Sequence, residues 1–425
     1  MVEACLVSLV ALVTDGCVCF LSFLSVSERR NQVLACQYAF AVLLRHVATV
    51  HTTIPSIALH ILALCMHSSA NAVETIATSP HMKNLIIPLS HVSWEKHVPS
   101  MHAVRDSLMI LSSVALGAQQ YTNIICDLGV VPFLINVLRK CVARNNDGTM
   151  CCNGSIDVMK ITELTTVILH ICSAVILRLV GHTILQCRSK PESSVPTLVQ
   201  VLLSLILECE SEQVRFSSIG TLAAWCIDTE ILAEVRNANG LSVFVRTFIN
   251  AQNRRIQLHT AFALINCSLD AESRAFFQET NIIPALINVI DSTTADKQIR
   301  LASAAVLRNL MQSPDMCESL FYVNHQTAPS VTNGLEILVE CVRASTTNMQ
   351  LAVAVAEILI NVARFGSLSV KRAVLASWPL SSLEQYVRGV GGELLQTAAL
   401  MLFLNLISDS FGVIRSVTLL YKLML

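Results

Sequence analysis

The chain has 425 residues, of which 53% are apolar and 14% are charged, and its 29 basic and 30 acidic side chains nearly cancel. This excludes a disordered protein, which needs low hydrophobicity and unbalanced charge, and it disfavours nucleic-acid binding, since no excess of Lys and Arg is available to displace phosphate counterions. Because aromatic residues make up only 5% of the chain, a large all-β protein is also disfavoured. A helical protein with an extensive core or a membrane protein remains.

The mean hydropathy of +0.59 makes membrane insertion the first alternative to test. A spanning helix needs about 18 nearly uninterrupted apolar residues. The N-terminal stretch is interrupted by Asp15 and Gly16, and the window 161–181 contains Glu163 and Arg178. No Lys- or Arg-rich loop flanks such a window. We therefore expect no membrane insertion, with a polytopic membrane transporter as the alternative from another class.

Sixteen cysteines are scattered along the chain without any CxxC pair. The closest pairs, Cys17/Cys19 and Cys151/Cys152, have no partners at zinc-ligand spacing, so no metal and no cofactor are predicted. Free cysteines behave as small buried apolar residues, which predicts a reducing cytoplasmic location, with the nucleus or the cilium as alternatives. No nucleophile elbow, kinase signature or pair of catalytic carboxylates in context occurs, and no enzymatic activity is predicted.

Apolar runs separated by polar gaps predict three kinds of helix in chain order. Long helices, the third of each unit, are expected at 54–68, 99–117, 157–173, 211–226, 253–268, 295–312, 347–364 and 391–408. Second helices precede them at 82–92, 130–142, 192–209, 240–250, 282–291, 333–344 and 379–388. Short first helices fill the gaps, for example at 271–280 and 314–323, and the longest polar loops are expected at 143–156 and 324–332.

The third helices share a register. A small residue is followed five positions later by asparagine in Ala261 to Asn266, Ala304 to Asn309 and Ala356 to Asn361, whereas Gly220 to Trp225 and Leu400 to Asn405 are imperfect copies. These positions recur every forty to fifty residues or so, a period typical of helical solenoids. The small residues suit close packing of helix axes.

The start of the second helices repeats as well, as in Leu128-Gly129-Val130-Val131-Pro132 and Asn281-Ile282-Ile283-Pro284. Together with the Ala-x-x-Leu-x-Asn third helix, this pattern resembles the armadillo family. The resemblance implies an all-α, right-handed superhelical armadillo-like solenoid of about eight or nine three-helix repeats. We expect divergent N-terminal helical repeats at 1–98, armadillo-like repeats at 99–410 and a C-terminal helical end at 411–425, all in one continuous solenoid.

The resemblance also implies that the third helices line a concave groove, in which Asn266, Asn309, Asn361 and Asn405 bind the main chain of a peptide through their amide groups. The alternative is that each amide is satisfied inside the stack by a neighbouring carbonyl. Trp225, at the same position, is either an exposed aromatic anchor, which we favour, or a core residue. The remaining candidate groove residues on these helix faces are Phe262, Arg255, Gln298, Gln350 and Glu357.

The position four residues before each asparagine holds Phe262, Ala305, Glu357 or Met401 instead of the tryptophan of armadillo receptors for basic signals. A mild excess of basic side chains slightly favours acidic ligands instead. We therefore predict a non-enzymatic scaffold that binds a partner protein as an extended peptide or helical segment in the groove.

The alternative within helical repeat proteins is a HEAT-type adaptor for a globular partner such as a small GTPase or a cytoskeletal or ciliary component, with the asparagines buried. The apolar ends, Met1–Val7 and Val417–Leu425, favour end-to-end self-association or membership of a larger complex.

Overall fold

The computed structural model describes residues 40–48, 54–66, 70–90, 98–117, 119–146, 156–179, 198–323, 333–344, 348–378 and 380–407. Within these ranges the chain is almost entirely helical and contains no strand. It divides into two compact units, Met1–Thr221 and Leu222–Leu425. The predicted all-α fold class is confirmed.

The first unit begins its described part with helical residues 40–46. Its helices are α1 (Ile54–Met66), α2 (Ala70–Ala77), a 3-10 turn (Met82–Ile86) leading into α3 (Ile87–Ser90), α4 (Val98–Ala115), α5 (Gln119–Asp127), α6 (Val130–Asn146), α7 (Ile156–Arg178), α8 (Leu198–Glu208) and α9 (Glu212–Trp225), which crosses into the second unit. The long helices stack in order, α1 against α4 and α4 against α7.

The described part of the second unit contains four consecutive groups of a short first, a second and a long third helix. The groups are α10 (Thr229–Asn237), α11 (Gly240–Asn250) and α12 (Arg254–Ser268); α13 (Ala271–Gln278), α14 (Ile282–Asp291) and α15 (Lys297–Leu310); α16 (Pro314–Ser319) with a 3-10 turn (Leu320–Tyr322), α17 (Gly334–Ala344) and α18 (Met349–Phe365); and α19 (Leu368–Ser377), α20 (Leu380–Val387) and α21 (Glu393–Ile407).

Equivalent helices of the second unit stack on one another. The third helices contact in the order α12, α15, α18 and α21, the second helices in the order α11, α14 and α17, and α13 packs against α16. Ala261, Ala304 and Ala356 are at most 1% exposed. The small residue of the sequence register is therefore a buried position of the stack, where it suits close packing of helices.

Polar caps set where the helices of the second unit begin. Asp228, Asn253, Asp270 and Asp296 have non-helical backbone conformations, and their side-chain oxygens accept hydrogen bonds from first-turn amides of α10, α12, α13 and α15. Such caps satisfy amides that have no partner inside the helix. This explains why α12, α13 and α15 begin within two residues of their predicted starts.

Two boundaries differ from prediction. The helix α6 continues to Asn146, so residues 143–146 of the expected loop are helical, because Ala143 and Arg144 favour helix as much as loop. The helix α7 runs to Arg178 instead of ending at 173. The rest of the first expected loop, 147–155, and the second, 324–332, lie outside the described residues.

Several expectations concern parts of the chain that the structure does not describe. The apolar ends Met1–Val7 and Val417–Leu425 are among them. So are 91–97, just before the expected boundary after 98, and 408–425, which contains the expected boundary after 410. Those boundaries, the superhelical handedness and the number of repeats stay predictions. In the ranges that are described, no helix has the combination of length and apolar character needed to cross a bilayer.

Candidate binding surface

The third helices α12, α15, α18 and α21 each present their asparagine together with the residues four, seven and eleven positions before it on one side, because the α-helix repeats every 3.6 residues. We call this side the asparagine face. Its sixteen members are Asn266, Phe262, His259 and Arg255; Asn309, Ala305, Ala302 and Gln298; Asn361, Glu357, Ala354 and Gln350; and Asn405, Met401, Ala398 and Leu394.

Three of the four asparagines use their amide nitrogen to tie one third helix to the one before it. Asn266 Nδ2 donates to the Ala223 carbonyl at 2.7 Å, and Asn361 Nδ2 donates to the Arg308 carbonyl at 2.8 Å. Asn309 Nδ2, on α15, donates to the Ile265 carbonyl and to Ser268 Oγ on α12. For the amide nitrogens of these three residues, the alternative is therefore correct: each donates to a carbonyl of the preceding third helix.

The amide oxygens are in a different position. Within the described residues, Oδ1 of Asn266 and Asn361 accepts no hydrogen bond, and both side chains are partly exposed. These oxygens can accept from the N–H groups of a ligand or from water. Asn309 is only 2% exposed, so it offers a ligand very little surface.

Asn405 on α21 behaves differently. Its Nδ2 donates to the Met401 carbonyl of the same helix at 2.9 Å. This bond within one helix differs from the bonds between helices that the nitrogens of the other three asparagines make.

Trp225 is a core residue. Its side chain is fully buried, so our preference for an exposed aromatic anchor is wrong. The sequence register places Trp225 at the position equivalent to the asparagines. Whether that position is buried depends on the helices packed around it, and these cannot be inferred from the register. Phe262, four residues before Asn266, is the exposed aromatic residue of the asparagine face, at 43%.

Phe262 stands beside a half-buried histidine. The rings of Phe262 and His259 meet edge to face, with centroids 5.8 Å apart, and His259 Nδ1 lies 3.1 Å from the Arg255 carbonyl. Burial lowers the pKa of His259, and the hydrogen bond to Arg255 opposes that shift. At neutral pH the residue therefore adds an uncharged ring next to Phe262, whereas Arg255 is exposed to solvent.

The charge of Glu357 is already compensated within the protein. Arg308 Nη1 on α15 lies 2.7 Å from Glu357 Oε2 on α18, and both side chains are about four-tenths exposed. The pair lies on the surface, where such interactions contribute about 0–1 kcal/mol. Because Asn361 bonds to the backbone of Arg308, two contacts join α15 to α18 at this point.

Gln298 and Gln350, at the −11 position of α15 and α18, are exposed. The same position is arginine on α12 and Leu394, 70% exposed, on α21. Met401 and Leu404 on α21 are also exposed, at 48% and 53%. The asparagine face thus changes from basic through neutral polar to apolar between α12 and α21.

No family model matches this chain, and no curated protein matches it. Among solved structures, an engineered protein from the Northeast Structural Genomics Consortium is similar over 88% of this chain and 100% of its own, with 16% identity and a TM-score of 0.51. A designed armadillo repeat protein matches 64% of this chain and 99% of its own, with 14% identity and a TM-score of 0.48. A computationally designed armadillo repeat protein for modular peptide recognition matches 64% and 99%, with 13% identity and a TM-score of 0.45.

The likeness to the first of these structures shows a shared fold. The three helices per repeat and the ordered stacking of third on third and second on second helices are what the sequence resemblance implied. The fold is armadillo-like. Within each unit, the armadillo-like repeat accounts for the high apolar content, because every helix is covered by helices of its own and adjacent repeats.

Sequence reasoning missed three features of this armadillo-like stack. It did not find the Arg308–Glu357 pair, the role of Ser268 as an acceptor from Asn309, or the exposed apolar residues of α21. The exposed apolar residues of α21 could have been found from Leu394 and Met401, because the equivalent positions of the asparagine face on α15 and α18 hold polar or small residues. The almost continuous apolar residues of this helix hide that difference, because a helix that is apolar all round is usually buried.

A polar cluster in the first unit was also not predicted. Asp106 on α4 is 1% exposed, and its carboxylate oxygens lie 3.2 Å from His60 Nδ1 on α1 and 2.8 Å from Arg105 Nε. Burial and the adjacent Arg105 lower the pKa of His102, although Asp106 opposes this. Since these groups satisfy one another and no nucleophile is described with them, the cluster links two helices.

Groups of three or more His, Cys, Asp or Glu side chains able to hold a metal ion do not occur in the part of the chain that the structure describes. The eight cysteines whose side chains are described are thiols. Burial raises the pKa of Cys126 to about 11 and of Cys317 to about 12, with Asp127 and Glu318 adding to the respective shifts. These thiols are therefore protonated at neutral pH and poorly suited to nucleophilic chemistry.

Proposed function

We propose that this chain is a non-enzymatic scaffold whose asparagine face binds an extended peptide or a helical segment of a partner protein. The observation that carries the proposal is the recurrence of accessible side chains at the same positions of successive third helices. Arg255, Gln298, Gln350 and Leu394 recur at one position, and Phe262, Glu357 and Met401 at another.

The spacing of these side chains suits an extended chain. Packed helices lie about 8–10 Å apart, and an extended peptide rises about 3.3 Å per residue, so each repeat would address about two or three residues. The exposed oxygens of Asn266 and Asn361 supply acceptors for peptide N–H groups. Since their nitrogens are occupied within the protein, exposed glutamines are the better donors to peptide carbonyls.

Binding is tested by selecting clones from a phage-displayed library of random 16-residue peptides against the full chain. The selected peptides are then measured by fluorescence anisotropy against Phe262→Ala/Met401→Ala. We expect at least a tenfold loss of affinity, because exposed aromatic and methionine side chains supply much of the contact energy at such sites. The matched control is Tyr322→Ala, an aromatic residue 82% exposed on the 3-10 turn after α16.

If peptides are selected but bind both variants equally, the site lies elsewhere. If Tyr322→Ala loses affinity while the double variant does not, the first-helix side is the binding surface. Circular dichroism of each variant shows whether it retains the helical fold. Gln298→Ala/Gln350→Ala then tests the proposed contacts to the peptide main chain.

The burial of Asn309 favours a second candidate, an adaptor for a globular partner that contacts the repeats through a broader surface. A residue that is 2% exposed contributes to stacking and little to a peptide interface. Candidate partners are a small GTPase and a cytoskeletal or ciliary component. Hydrogen exchange of the chain with a captured partner distinguishes the two: protection limited to α12, α15, α18 and α21 supports the peptide mode.

Location and assembly are also part of the proposal. The described thiols suit the reducing cytoplasm. Fluorescence microscopy of the tagged chain shows whether it is located there, in the nucleus or in the cilium. Leu400 is 39% exposed, although the equivalent Ala261, Ala304 and Ala356 are buried. This supports self-association or assembly into a larger complex, and sedimentation at low micromolar concentration detects the former.

A further inference from the structure

We infer that the segment bound by the asparagine face is polarised, with acidic side chains at its α12 end and apolar side chains at its α21 end. The inference rests on the proposed function and specifies the chemistry of its ligand. It is carried by the arrangement of charge and apolar surface on these four helices.

Three exposed cations stand at the α12 end, Arg255 on the asparagine face and Arg254 and Lys297 directly before its first positions on α12 and α15. Arg254 and Arg255 begin α12, and Lys297 begins α15. Within the described residues none of the three forms an ion pair, whereas Arg308 is paired with Glu357. Asp296, the carboxylate next to Lys297, is occupied in capping α15, where its Oδ1 accepts from the Gln298 amide at 2.8 Å.

The stability of the helices does not explain these cations. The N-terminus of a helix carries a partial positive charge, so basic residues in the first turn are unfavourable and acidic residues are favourable there. Arg254, Arg255 and Lys297 are therefore placed against the preference of their own helices. An acidic ligand would be attracted both by the side chains and by the helix ends behind them.

The α21 end has the opposite character. Leu394 and Met401 of the asparagine face are exposed there, as is the neighbouring Leu404. Glu393, next to Leu394, is an exposed carboxylate in the first turn of α21. Between the two ends, the exposed glutamines of α15 and α18 are neutral, and the Arg308–Glu357 pair has no net charge. A ligand that is acidic at both ends would meet Glu393 and lose the apolar contacts.

The dimensions set the length of the segment. The axes of α12 and α21 are separated by three helix spacings, or about 24–30 Å, which an extended chain covers in about seven to nine residues. We therefore expect one or two Asp or Glu residues, then a neutral stretch, then Leu, Met or Phe. The direction of the chain is given by which end of the selected peptides carries the acidic residues.

The selected 16-residue clones test this directly. We expect acidic residues enriched at one end and large apolar residues about seven to nine positions away. Arg254→Glu/Arg255→Glu should weaken an acidic clone about tenfold or more, and replacing the clone's acidic residues by Lys should restore binding to that variant. Glutamate suits a helix N-terminus, so this variant is expected to stay folded.

The matched control is Arg246→Glu/Arg372→Glu, which reverses two exposed charges on α11 and α19 and should leave affinity unchanged. Clones that depend on Phe262 and Met401 but carry no acidic end would overturn the inference and leave the proposed function standing. If the control variant weakens acidic clones as much as Arg254→Glu/Arg255→Glu does, the effect is one of net charge, and the inference is overturned as well. Failure to select any clone dependent on Phe262 and Met401 would overturn the proposed function itself.

Discussion

The side-chain nitrogen of Asn309 on α15 donates hydrogen bonds to the Ile265 carbonyl and to Ser268 Oγ on α12, at 3.3 and 3.1 Å. An asparagine predicted to face a ligand thus joins two successive third helices. Asn266 and Asn361 make the same kind of link in their repeats. The recurrence of this residue is explained by stacking, and ligand recognition on the same face depends more on the exposed side chains beside it.

Asn309→Ala should lower the free energy of unfolding by about 1–2 kcal/mol, because both hydrogen bonds between the two helices are lost at a buried junction, although the Ile265 carbonyl keeps a second donor in Ser268 Oγ. Asn405→Ala is the matched control. Since Asn405 donates to its own helix and is partly exposed, we expect a change within about 0.5 kcal/mol. Urea unfolding followed by circular dichroism measures both, and equal losses would contradict a special role for the interhelical bond.

Ala304→Leu should destabilise the stack by about 1–3 kcal/mol, because the position is fully buried and added methylene groups overpack it. Leu400 occupies the same register position on α21 but is 39% exposed. We therefore expect Leu400→Ala to change stability by less than about 1 kcal/mol. Thermal unfolding compares the two, and tolerance of leucine at 304 would show that the repeats are packed more loosely.

Stability should fall as the pH is lowered from 7.5 to 5.5. Burial lowers the pKa of His102 and of His259 below their ordinary value of 6.5, so the unfolded chain binds protons in this range before the folded one does. The contribution of the two neutral imidazoles to the free energy of unfolding is fully present above pH 6.5, and it is lost as the pH falls through their lowered folded-state pKa values. The double variant His102→Asn/His259→Asn should reduce this slope in urea titrations. An unchanged slope would assign the effect to other groups.

Cys126 and Cys317 should react slowly with iodoacetamide in the folded protein at pH 7.5, because pKa values of about 11 and about 12 leave few molecules as thiolate. The fully buried Cys172 and Cys267, whose pKa values are raised by burial and, for Cys267, first by its hydrogen bond with Cys226, should be protected as well. Peptide mass spectrometry locates the label, and urea-unfolded protein is the control. Rapid labelling of Cys317 in the native state would show that its helix opens readily.

Much of the local structure was predictable because its causes are local. Helix α12 was expected at 253–268 and is found at Arg254–Ser268, since Asn253 caps one end and the apolar spacing continues to the other. The end of α7 was not predictable in this way, because Ala174 to Leu177 continues the helix without any terminating residue. Its length depends on packing with α4 and α6.

The amino-acid sequence alone determined the three-helix repeat, its period and the position of a small residue and an asparagine in each third helix, because these follow from spacing and capping along the chain. The tertiary structure decided that Trp225 is buried and that the nitrogens of Asn266, Asn309 and Asn361 bond to preceding helices. Periodicity places a residue on one side of a helix, but the elements that cover that side are set by packing between residues distant in the chain. For the same reason, only the structure shows that α12, α15, α18 and α21 stack in this order and that Leu394 and Met401 on the last of them are exposed.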